Sequence, residues 1–352
     1  MSFLLADAPY SKWLPWDATI YSDHSQFSQG HPVDWLINVI HYFMIALFVG
    51  WGFFFVYCLW RFRARTGHAA RYDLPKAKVS KYSEIAVCIV EVVLLVFFSI
   101  PVWAAYKSKP ALPGTGGQIH HVRAIGQQFQ WNFHYPGPDG KYGTIKAELI
   151  NASQGNPLGL DDADPATADD IVSPELHVPI STDPKNTPNI VAVDIRSKDV
   201  IHSFAIPVLR VKQDAIPGLE FSVSFQALKT TKQFQTAMSR DWLLDGEEFQ
   251  REMIRLVAMQ EYKAKDGSSI VAAGGHFNED AIKQLKAAGV TAVQAAPGSA
   301  TEVVCAQLCG NNHYKMKAPL VMETQAEYDA WLKSMTPSEE DTAHQTEEEF
   351  EE

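Results

Sequence analysis

Residues 36–60 read LINVIHYFMIALFVGWGFFFVYCLW, a run of 25 positions without a single Asp, Glu, Lys or Arg. At about 1.5 Å per residue, roughly 20 apolar residues in a helix cross the ~30 Å hydrocarbon core of a bilayer. A second apolar run, residues 85–105, contains one charged residue, Glu91. The alternative for either run is a buried helix of a large soluble protein. Two such runs in close succession instead favour a transmembrane helical hairpin over residues 35–106.

The loop between the two runs sets the expected orientation of the hairpin. Residues 61–82 carry seven basic side chains and one acidic side chain, Asp73. Short loops rich in Lys and Arg remain cytoplasmic, so segment 1–34 and the chain after about residue 106 are expected on the outer side. The 352-residue chain has a formal net charge of −11, which argues against a nucleic-acid partner because phosphate binding requires a basic face.

Two acidic side chains belong to the second apolar run or its start. Glu91 lies well inside the run, where a carboxylate is costly unless it faces a partner or a polar cavity. It therefore predicts that the hairpin packs against another membrane protein. Glu84 lies seven residues earlier, and it could equally be a solvated acid in the first turn of the helix, where the helix dipole favours negative charge.

From about residue 118 the pattern changes to short β-branched or aromatic runs separated by Gly, Pro, Asn and Asp. Many short strands with turn residues between them favour a β-sandwich or barrel. Residues 151–189 are rich in Asp, Pro, Ser and Thr and predict a surface loop. The predicted strands are 120–135, 144–150, 190–196, 201–206, 219–226, 301–305 and 319–323.

The β pattern is interrupted over residues 227–290, which predict a helical insertion. Residues 279–288 predict one helix of it, ending at a glycine, and an apolar stripe at helical spacing predicts another. Residues 336–352 contain eight acidic side chains and predict a disordered, solvated tail. The stripe consists of Phe249, Met253, Leu256 and Val257.

Residues 305–316 read CAQLCGNNHYKM and place two thiols, an imidazole and a thioether within one short segment. These soft donors suit copper, whereas Mg²⁺ and Ca²⁺ prefer oxygen ligands. Two alternatives remain: a structural zinc site, which normally lacks Met, and a disulfide between Cys305 and Cys309 in an oxidising outer compartment. The best candidate for a further donor is His202, at the end of a predicted strand in the sequence DVIHSF, residues 199–204.

Three motifs together resemble subunit II of the haem-copper cytochrome c oxidases: DVIHSF at 199–204, DAIPG at 214–218, and C-x3-C-G-x2-H-x2-M at 305–316. The resemblance covers roughly residues 35–225 and 296–333. It implies an α+β membrane protein in which two N-terminal membrane helices precede a cupredoxin-like Greek-key β-sandwich, here spanning residues 118–335 with the helical insertion.

The resemblance also implies a cofactor, a dinuclear copper A centre with two copper ions. It makes the subunit part of a proton-translocating oxidoreductase of the respiratory chain, which accepts electrons from a cytochrome c or a haem-c domain. The electrons pass to haem in subunit I, where oxygen is reduced to water. The implied ligands are Cys305 and Cys309 as bridging thiolates, His202 and His313 as terminal imidazoles, Met316 as a weak axial ligand and the backbone carbonyl of Gln307.

The implied location is a bacterial inner membrane, with two passes and the copper domain on the periplasmic side. The partners would be subunit I, other oxidase subunits and the electron donor. The chain contains no Cys-x-x-Cys-His motif for a c-type haem of its own. Intact copper ligands argue against a quinol oxidase subunit II, which lacks copper. A membrane-anchored copper-binding or copper-delivery protein would not need the intramembrane pair Glu84 and Glu91 or the DAIPG segment. Soluble nitrous oxide reductase shares the copper motif but lacks the two membrane helices.

The sequence departs from the family at several positions. Gln307 stands where the family usually has a Glu that helps to hold a magnesium ion, and a neutral amide is a poorer ligand for a hard cation. Phe129 stands where the family has the Trp assigned to electron uptake, which leaves Trp131 as a second candidate. Glu84 matches the family's Glu at the mouth of a proton path in subunit I. Glu91 falls where many members have Pro.

Overall fold

The computed structural model describes residues 22–23, 32–67, 78–107, 117–184 and 186–336. The predicted outer segment 1–34 and the predicted acidic tail 336–352 lie almost entirely outside these ranges. The chain divides into two compact units, His24–Ser108 and a larger unit formed by Met1–Asp23 with Lys109–Glu352.

The smaller unit contains the predicted helical hairpin. Helix α1 spans Pro32–Arg61, and the second arm consists of α2 (Lys78–Val93), a π-helical segment (Leu94–Ser99) and α3 (Ile100–Lys107). By length and composition two stretches can cross a membrane, Val39–Arg61 and Lys81–Ala104. The wider π turns lie just before Pro101, whose missing N–H and bulky ring interrupt a regular α-helical hydrogen-bond ladder.

The larger unit is built mainly from short strands. Those that precede the insertion are β1 (Ser22–Asp23), β2 (Gln118–Gln127), β3 (Gln130–Tyr135), β4 (Ile171–Ser173), β5 (Leu176–Pro179), β6 (Asn189–Ser197), β7 (His202–Ile206), β8 (Val211–Ala215) and β9 (Phe221–Ala227). The insertion contributes α4 (Thr231–Met238), β10 (Arg240–Leu243), α5 (Glu247–Glu252), β11 (Leu256–Ala258), β12 (Tyr262–Lys263), β13 (Ser269–Val271), α6 (Glu279–Ala287) and β14 (Ala292–Pro297). The chain then continues with β15 (Glu302–Cys305), β16 (Lys317–Glu323) and α7 (Gln325–Met335).

Two sheets face each other, as the strand pattern predicts for a β-sandwich. The order in one sheet is β1-β9-β6-β2-β3-β4, and in the other β5-β16-β15-β7-β8. Large side chains from both sheets fill the space between them, because alternate residues of each strand point inward. Trp131 of β3 meets Phe204 of β7 edge to face, with ring centroids 5.6 Å apart. Other core residues are Phe133, Tyr135, Leu176, Ile195, Ile206 and Phe225.

Two predictions for the segment after β3 are wrong. Residues 144–150 do not form a strand: they contain a single bridge at Ile145 and a 3₁₀ turn over Ala147–Leu149. The predicted surface loop 151–189 contains β4 and β5, which pair with β3 and β16. Both strands are only three or four residues long, so their pairing depends on neighbours from distant parts of the chain.

The insertion is not purely helical. Helix α6 agrees with the prediction for residues 279–288, but the apolar stripe from Phe249 to Val257 does not form one helix. Helix α5 ends at Glu252, and Leu256 and Val257 belong to β11, which pairs with β14. The sheet β10-β14-β11 and the surrounding helices enclose a separate core that includes Trp242, Phe249, Tyr262, Phe277, Ile282 and Leu285.

The segment between β3 and β4 is attached to the sheet by a buried hydrogen bond between a histidine and a carboxylate. The His134 Nε2 atom lies 2.7 Å from Asp170 Oδ2, and neither side chain is exposed. The same carboxylate oxygen accepts the N–H of Gly143 at 2.7 Å. Burial lowers the pKa of His134 despite this contact, so the interaction joins a mainly neutral ring to a carboxylate.

Substitution of Asp170 by alanine is expected to lower the free energy of unfolding by about 2 kcal/mol, because it leaves the His134 ring and the Gly143 N–H without their acceptor. Chemical denaturation of the full chain in detergent measures this change. Asp162→Ala, which removes an exposed acid eight residues earlier in the same segment, is the matched control. Equal stability of the two variants would contradict a stabilising role for the His134–Asp170 contact.

Candidate metal centre

The predicted ligands come from two distant segments that the five-stranded sheet brings together. His202 is the first residue of β7, and Cys305 is the last residue of β15. These strands are neighbours, with Cys305 opposite Phe204, and the N–H of Ala306 donates to the carbonyl of Ser203 at 2.9 Å. The remaining donors follow Cys305 on the loop that leads to β16.

The two cysteine sulfurs lie 3.9 Å apart at the centre of the group, and both cysteines are free thiols. The ring Nδ1 of His202 is 3.9 Å from the Cys305 sulfur, and the ring Nδ1 of His313 is 3.6 Å from the Cys309 sulfur. The Met316 sulfur lies 3.7 Å from Cys309, and the carbonyl oxygen of Gln307 lies 3.1 Å from Cys305. All six predicted ligand residues therefore place a donor atom beside one of the two sulfurs.

Most of these donors are shielded from solvent. The His202 side chain is 0 % exposed, Met316 is 2 % exposed, and both cysteines are buried. His313 is half-buried, and the Gln307 side chain is exposed, although its backbone carbonyl faces the sulfur. A site with this burial excludes water from the thiols and holds the donors in a low-dielectric environment.

Asp199 orients the His202 ring. Its Oδ1 atom lies 2.7 Å from His202 Nε2, which leaves Nδ1 facing the Cys305 sulfur. Burial disfavours the charged ring, but contacts with Cys305 and Asp199 outweigh it and raise the pKa of His202. Such a carboxylate partner fixes the tautomer and the orientation of a metal-binding histidine. The sequence analysis includes Asp199 in the DVIHSF motif but assigns it no role of its own.

The two thiols differ in acidity. Burial opposes ionisation of Cys305, but hydrogen bonds with His202 and with the backbone of Ser203 lower the pKa of its thiol to about 6. Burial and the neighbouring negative charge of Cys305 raise the pKa of Cys309 to about 11. A metal cation removes this repulsion, and metal binding by thiols releases their protons. The second thiol is therefore expected to ionise together with metal binding.

The two aromatic candidates for electron uptake lie near the centre but differ in exposure. Trp131 is 1 % exposed, and its ring centroid is 6.1 Å from that of His202. Phe129 is half-buried at the tip of the β2–β3 hairpin. A docked donor protein cannot contact Trp131 directly, whereas the hairpin tip is accessible. Glu84 belongs to the membrane unit, within the Lys81–Ala104 span.

The donor set fits copper. Thiol and thioether sulfurs are soft donors, and each thiol has its own imidazole neighbour. One tetrahedral zinc ion would leave the thioether of Met316 and the Gln307 carbonyl without a role. These features define a class of protein, a β-sandwich preceded by two apolar helices long enough to span a membrane, with a buried group of sulfur and nitrogen donors that could hold a metal.

Comparisons with known proteins agree on one family. The family described as cytochrome c oxidase subunit II, periplasmic domain, matches residues 120–237. Alternative cytochrome c oxidase subunit 2 of Bradyrhizobium diazoefficiens is 26% identical over 303 residues, or 86% of this chain and 79% of that protein. Cytochrome c oxidase subunit 2 of Cereibacter sphaeroides is 28% identical over 218 residues, or 55% and 62% of the two chains.

Among solved structures, the periplasmic domain of subunit II of cytochrome oxidase of Bradyrhizobium japonicum overlaps with 61% of this chain and 92% of its own length, at 19% identity and a TM-score of 0.28. The sequence matches carry the assignment. These matches support a subunit II-like protein of the cytochrome c oxidases. The prediction of two apolar helices followed by a cupredoxin-like domain is confirmed.

Proposed function

We propose that this chain is the electron-accepting subunit of a respiratory cytochrome c oxidase. Its β domain takes electrons from a cytochrome c or a haem-c domain and passes them to haem in subunit I, where oxygen is reduced to water. The observation that carries the proposal is the convergence of His202, Cys305 and Cys309, whose ligand atoms all lie within 4.8 Å of one another and are buried.

In this proposal Cys305 and Cys309 would be the thiolate ligands shared by two copper ions. When bound, such a pair would supply one-electron transfer with little change in geometry. The chain holds the donors in place: Asp199 orients His202, and burial keeps water from both sulfurs. His202 and His313 would supply the imidazole ligands, and Met316 and the carbonyl of Gln307 would supply weaker donors.

The copper content and spectra of the purified full chain test the proposal. We expect two copper ions per chain and the electronic and EPR spectra of a mixed-valence pair. One copper ion per chain with a mononuclear spectrum would instead support an anchored copper-binding or copper-delivery protein. Lack of copper binding would support a relation to quinol oxidase subunits. The exposed amide of Gln307 gives no carboxylate for magnesium, so we propose no intersubunit magnesium site through this side chain.

A soluble, basic cytochrome c is the proposed donor, because the chain has a net charge of −11. Attraction between opposite charges speeds encounter and is screened by salt, with a Debye length of about 10 Å at 0.1 M. We expect oxidase turnover with soluble cytochrome c at limiting concentration to fall as ionic strength rises. Turnover with a small neutral reductant is the control. Salt-independent turnover with cytochrome c would favour a haem-c domain held in a neighbouring complex.

The proposed location is a bacterial inner membrane, crossed twice, with the metal centre on the periplasmic side. The basic side chains of residues 61–82 support this orientation. The proposed membrane partner is subunit I. Glu84, Cys88 and Glu91 follow each other at i, i+4 and i+7 in α2 and therefore share one helix face. We propose that this face contacts subunit I and that Glu84 serves proton uptake there.

Glu91 offers a test of this contact. Among the described residues no hydrogen-bond or ion-pair partner of its carboxylate is present, and a carboxylate in hydrocarbon requires a polar partner. We expect Glu91→Leu to weaken association with a tagged subunit I roughly tenfold, as loss of one intramembrane polar contact of 1–2 kcal/mol predicts. Val92→Leu, at the neighbouring exposed position, is the control. If both variants copurify with tagged subunit I in equal amounts, the proposed contact between Glu91 and subunit I is wrong.

A further inference from the structure

The tip of the β2–β3 hairpin lies against the loop that carries the metal ligands. Gln128 makes two hydrogen bonds there. Its backbone N–H donates to Asp199 Oδ2 at 2.7 Å, and its side-chain Nε2 donates to the carbonyl oxygen of Cys309 at 2.5 Å. One residue that is not itself a ligand thus contacts both ligand-bearing segments.

These bonds complete a continuous connection between a histidine and a cysteine ligand. Asp199 accepts the Gln128 N–H with one carboxylate oxygen and contacts His202 Nε2 with the other, at 2.7 Å. From His202 the connection runs through Asp199 and Gln128 to the backbone of Cys309. His202 lies 103 positions before Cys305 in the sequence. The link therefore joins two segments that are distant along the chain, one carrying His202 and the other carrying the two cysteines.

A glycine allows the hairpin to approach this closely. Gly310, which follows Cys309, has a φ of +139°. A Cβ atom at Gly310 would lie 2.8 Å from the Gln128 Nε2 atom and 3.0 Å from the Phe129 ring. Both distances are shorter than van der Waals contact, so a side chain here would displace the Gln128 amide and the Phe129 ring from their places against the loop. The lack of a side chain at Gly310 therefore leaves the space that Gln128 needs to contact the loop backbone.

We infer that Gln128 is a positioning residue of the metal centre, which holds the Cys309 loop and the Asp199–His202 pair in one fixed arrangement. The inference rests on the proposed function in taking the metal centre as the working site. Fast electron transfer requires ligands that change position little between oxidation states, and groups outside the ligand set keep the ligands oriented. Gln128 supplies this restraint in addition to the sheet hydrogen bond between Ala306 and Ser203.

The chemistry of the side chain matters for this role. The contact to the Cys309 carbonyl requires a hydrogen-bond donor, which the amide of Gln supplies and a carboxylate lacks. Gln128→Glu keeps the size of the side chain but places a negative charge against a carbonyl oxygen. Gln127→Glu is the matched control, because Gln127 bonds to Lys198 and not to the ligand loop. It adds the same charge one residue earlier in the hairpin.

The test compares three variants of the full chain in detergent, Gln128→Glu, Gln128→Asn and Gln127→Glu. The first measurement is backbone hydrogen exchange of residues 306–316 in the metal-free chain. We expect about tenfold faster exchange in Gln128→Glu, the effect of losing one hydrogen bond. A smaller increase is expected in Gln128→Asn, whose shorter amide reaches the carbonyl poorly. Gln127→Glu should exchange as the parent chain does.

The second measurement is the spectrum and reduction potential of the copper-loaded chains. A shifted potential and altered copper hyperfine pattern in Gln128→Glu, with parent behaviour in Gln127→Glu, would support the positioning role. Unchanged exchange and spectra in both Gln128 variants would overturn it. If the parent chain binds no copper pair, the proposed function fails, but the metal-free exchange still decides whether Gln128 holds the loop. Should Gln128→Glu not fold, the same comparison is made with Gln128→Asn.

Discussion

Replacement of Cys309 by serine is expected to abolish the two-copper spectrum and to lower cytochrome c oxidation by the assembled oxidase by more than about 100-fold. Loss of groups that only support the ligands typically costs roughly 10–100-fold, and Cys309 would be a ligand itself. The Cys309 sulfur lies near three other donors, from Cys305, His313 and Met316. Serine would supply a hard oxygen donor, which does not replace a soft thiolate as a ligand shared by two copper ions.

The chain contains its own controls for this substitution. Cys58 and Cys88 are also free thiols, but they belong to the membrane helices. Cys58→Ser and Cys88→Ser are expected to keep the parent spectrum and copper content. Copper analysis and EPR of the three variants therefore separate the loss of a ligand from a general effect of removing a thiol. A two-copper signal that persists in Cys309→Ser would rule out a bridging role for this residue.

Replacement of Gly310 by valine is expected to cost about 3 kcal/mol of unfolding free energy, through backbone strain and overpacking, and to prevent the centre from forming. At a φ of +139° a β-branched residue is strongly disfavoured. The new side chain would also collide with Gln128 and Phe129. Relief of this collision requires the Gln128 amide and the Phe129 ring to shift, which breaks the hydrogen bond from Gln128 to the Cys309 carbonyl.

Gly274→Val is the matched control for the backbone strain of placing a β-branched residue at a positive φ. Gly274 also has a positive φ, +80°, but a Cβ atom there meets nothing within 4 Å. It lies in the insertion, so this variant is expected to lose some stability while keeping the copper centre. Thermal unfolding and copper content of both variants measure the two effects separately. Full copper binding by Gly310→Val would mean that the loop tolerates displacement of the hairpin.

The candidate ligand set could be proposed from the sequence because residue types and spacing carry the chemistry. Cys305, Cys309, His313 and Met316 are close in the chain, so a short loop suffices to bring their donor atoms together. His202 required the family motif, because nothing local in a histidine at a strand end indicates a metal. Asp199 and Gln128 were given no role of their own, since their importance depends on hydrogen bonds across separate strands.

The errors in the predicted elements have two causes: one sequence signal was overlooked, and several strands depend on partners elsewhere in the chain. Helix α7 was missed although Thr324 and Glu327 form a capping box at its start, a signal that was present in the sequence. The strand β11 was mistaken for part of a helix because its apolar residues also fit a helical spacing, and only pairing with β14 decides between the two. The strands β4 and β5 lie in a polar segment and depend on partners elsewhere.

The sequence by itself determines three features: two membrane helices, a strand-rich domain after them and a set of soft donors. It does so because hydropathy, side-chain periodicity and ligand type are local properties of the chain. The burial of Trp131, the hydrogen bonds of Gln128 to both ligand segments and the approach of the hairpin to Gly310 do not follow from the order of residues. They arise when strands far apart in the chain pair and pack, since distances between such strands are set by the folded sheets and not by the spacing of residues along the chain.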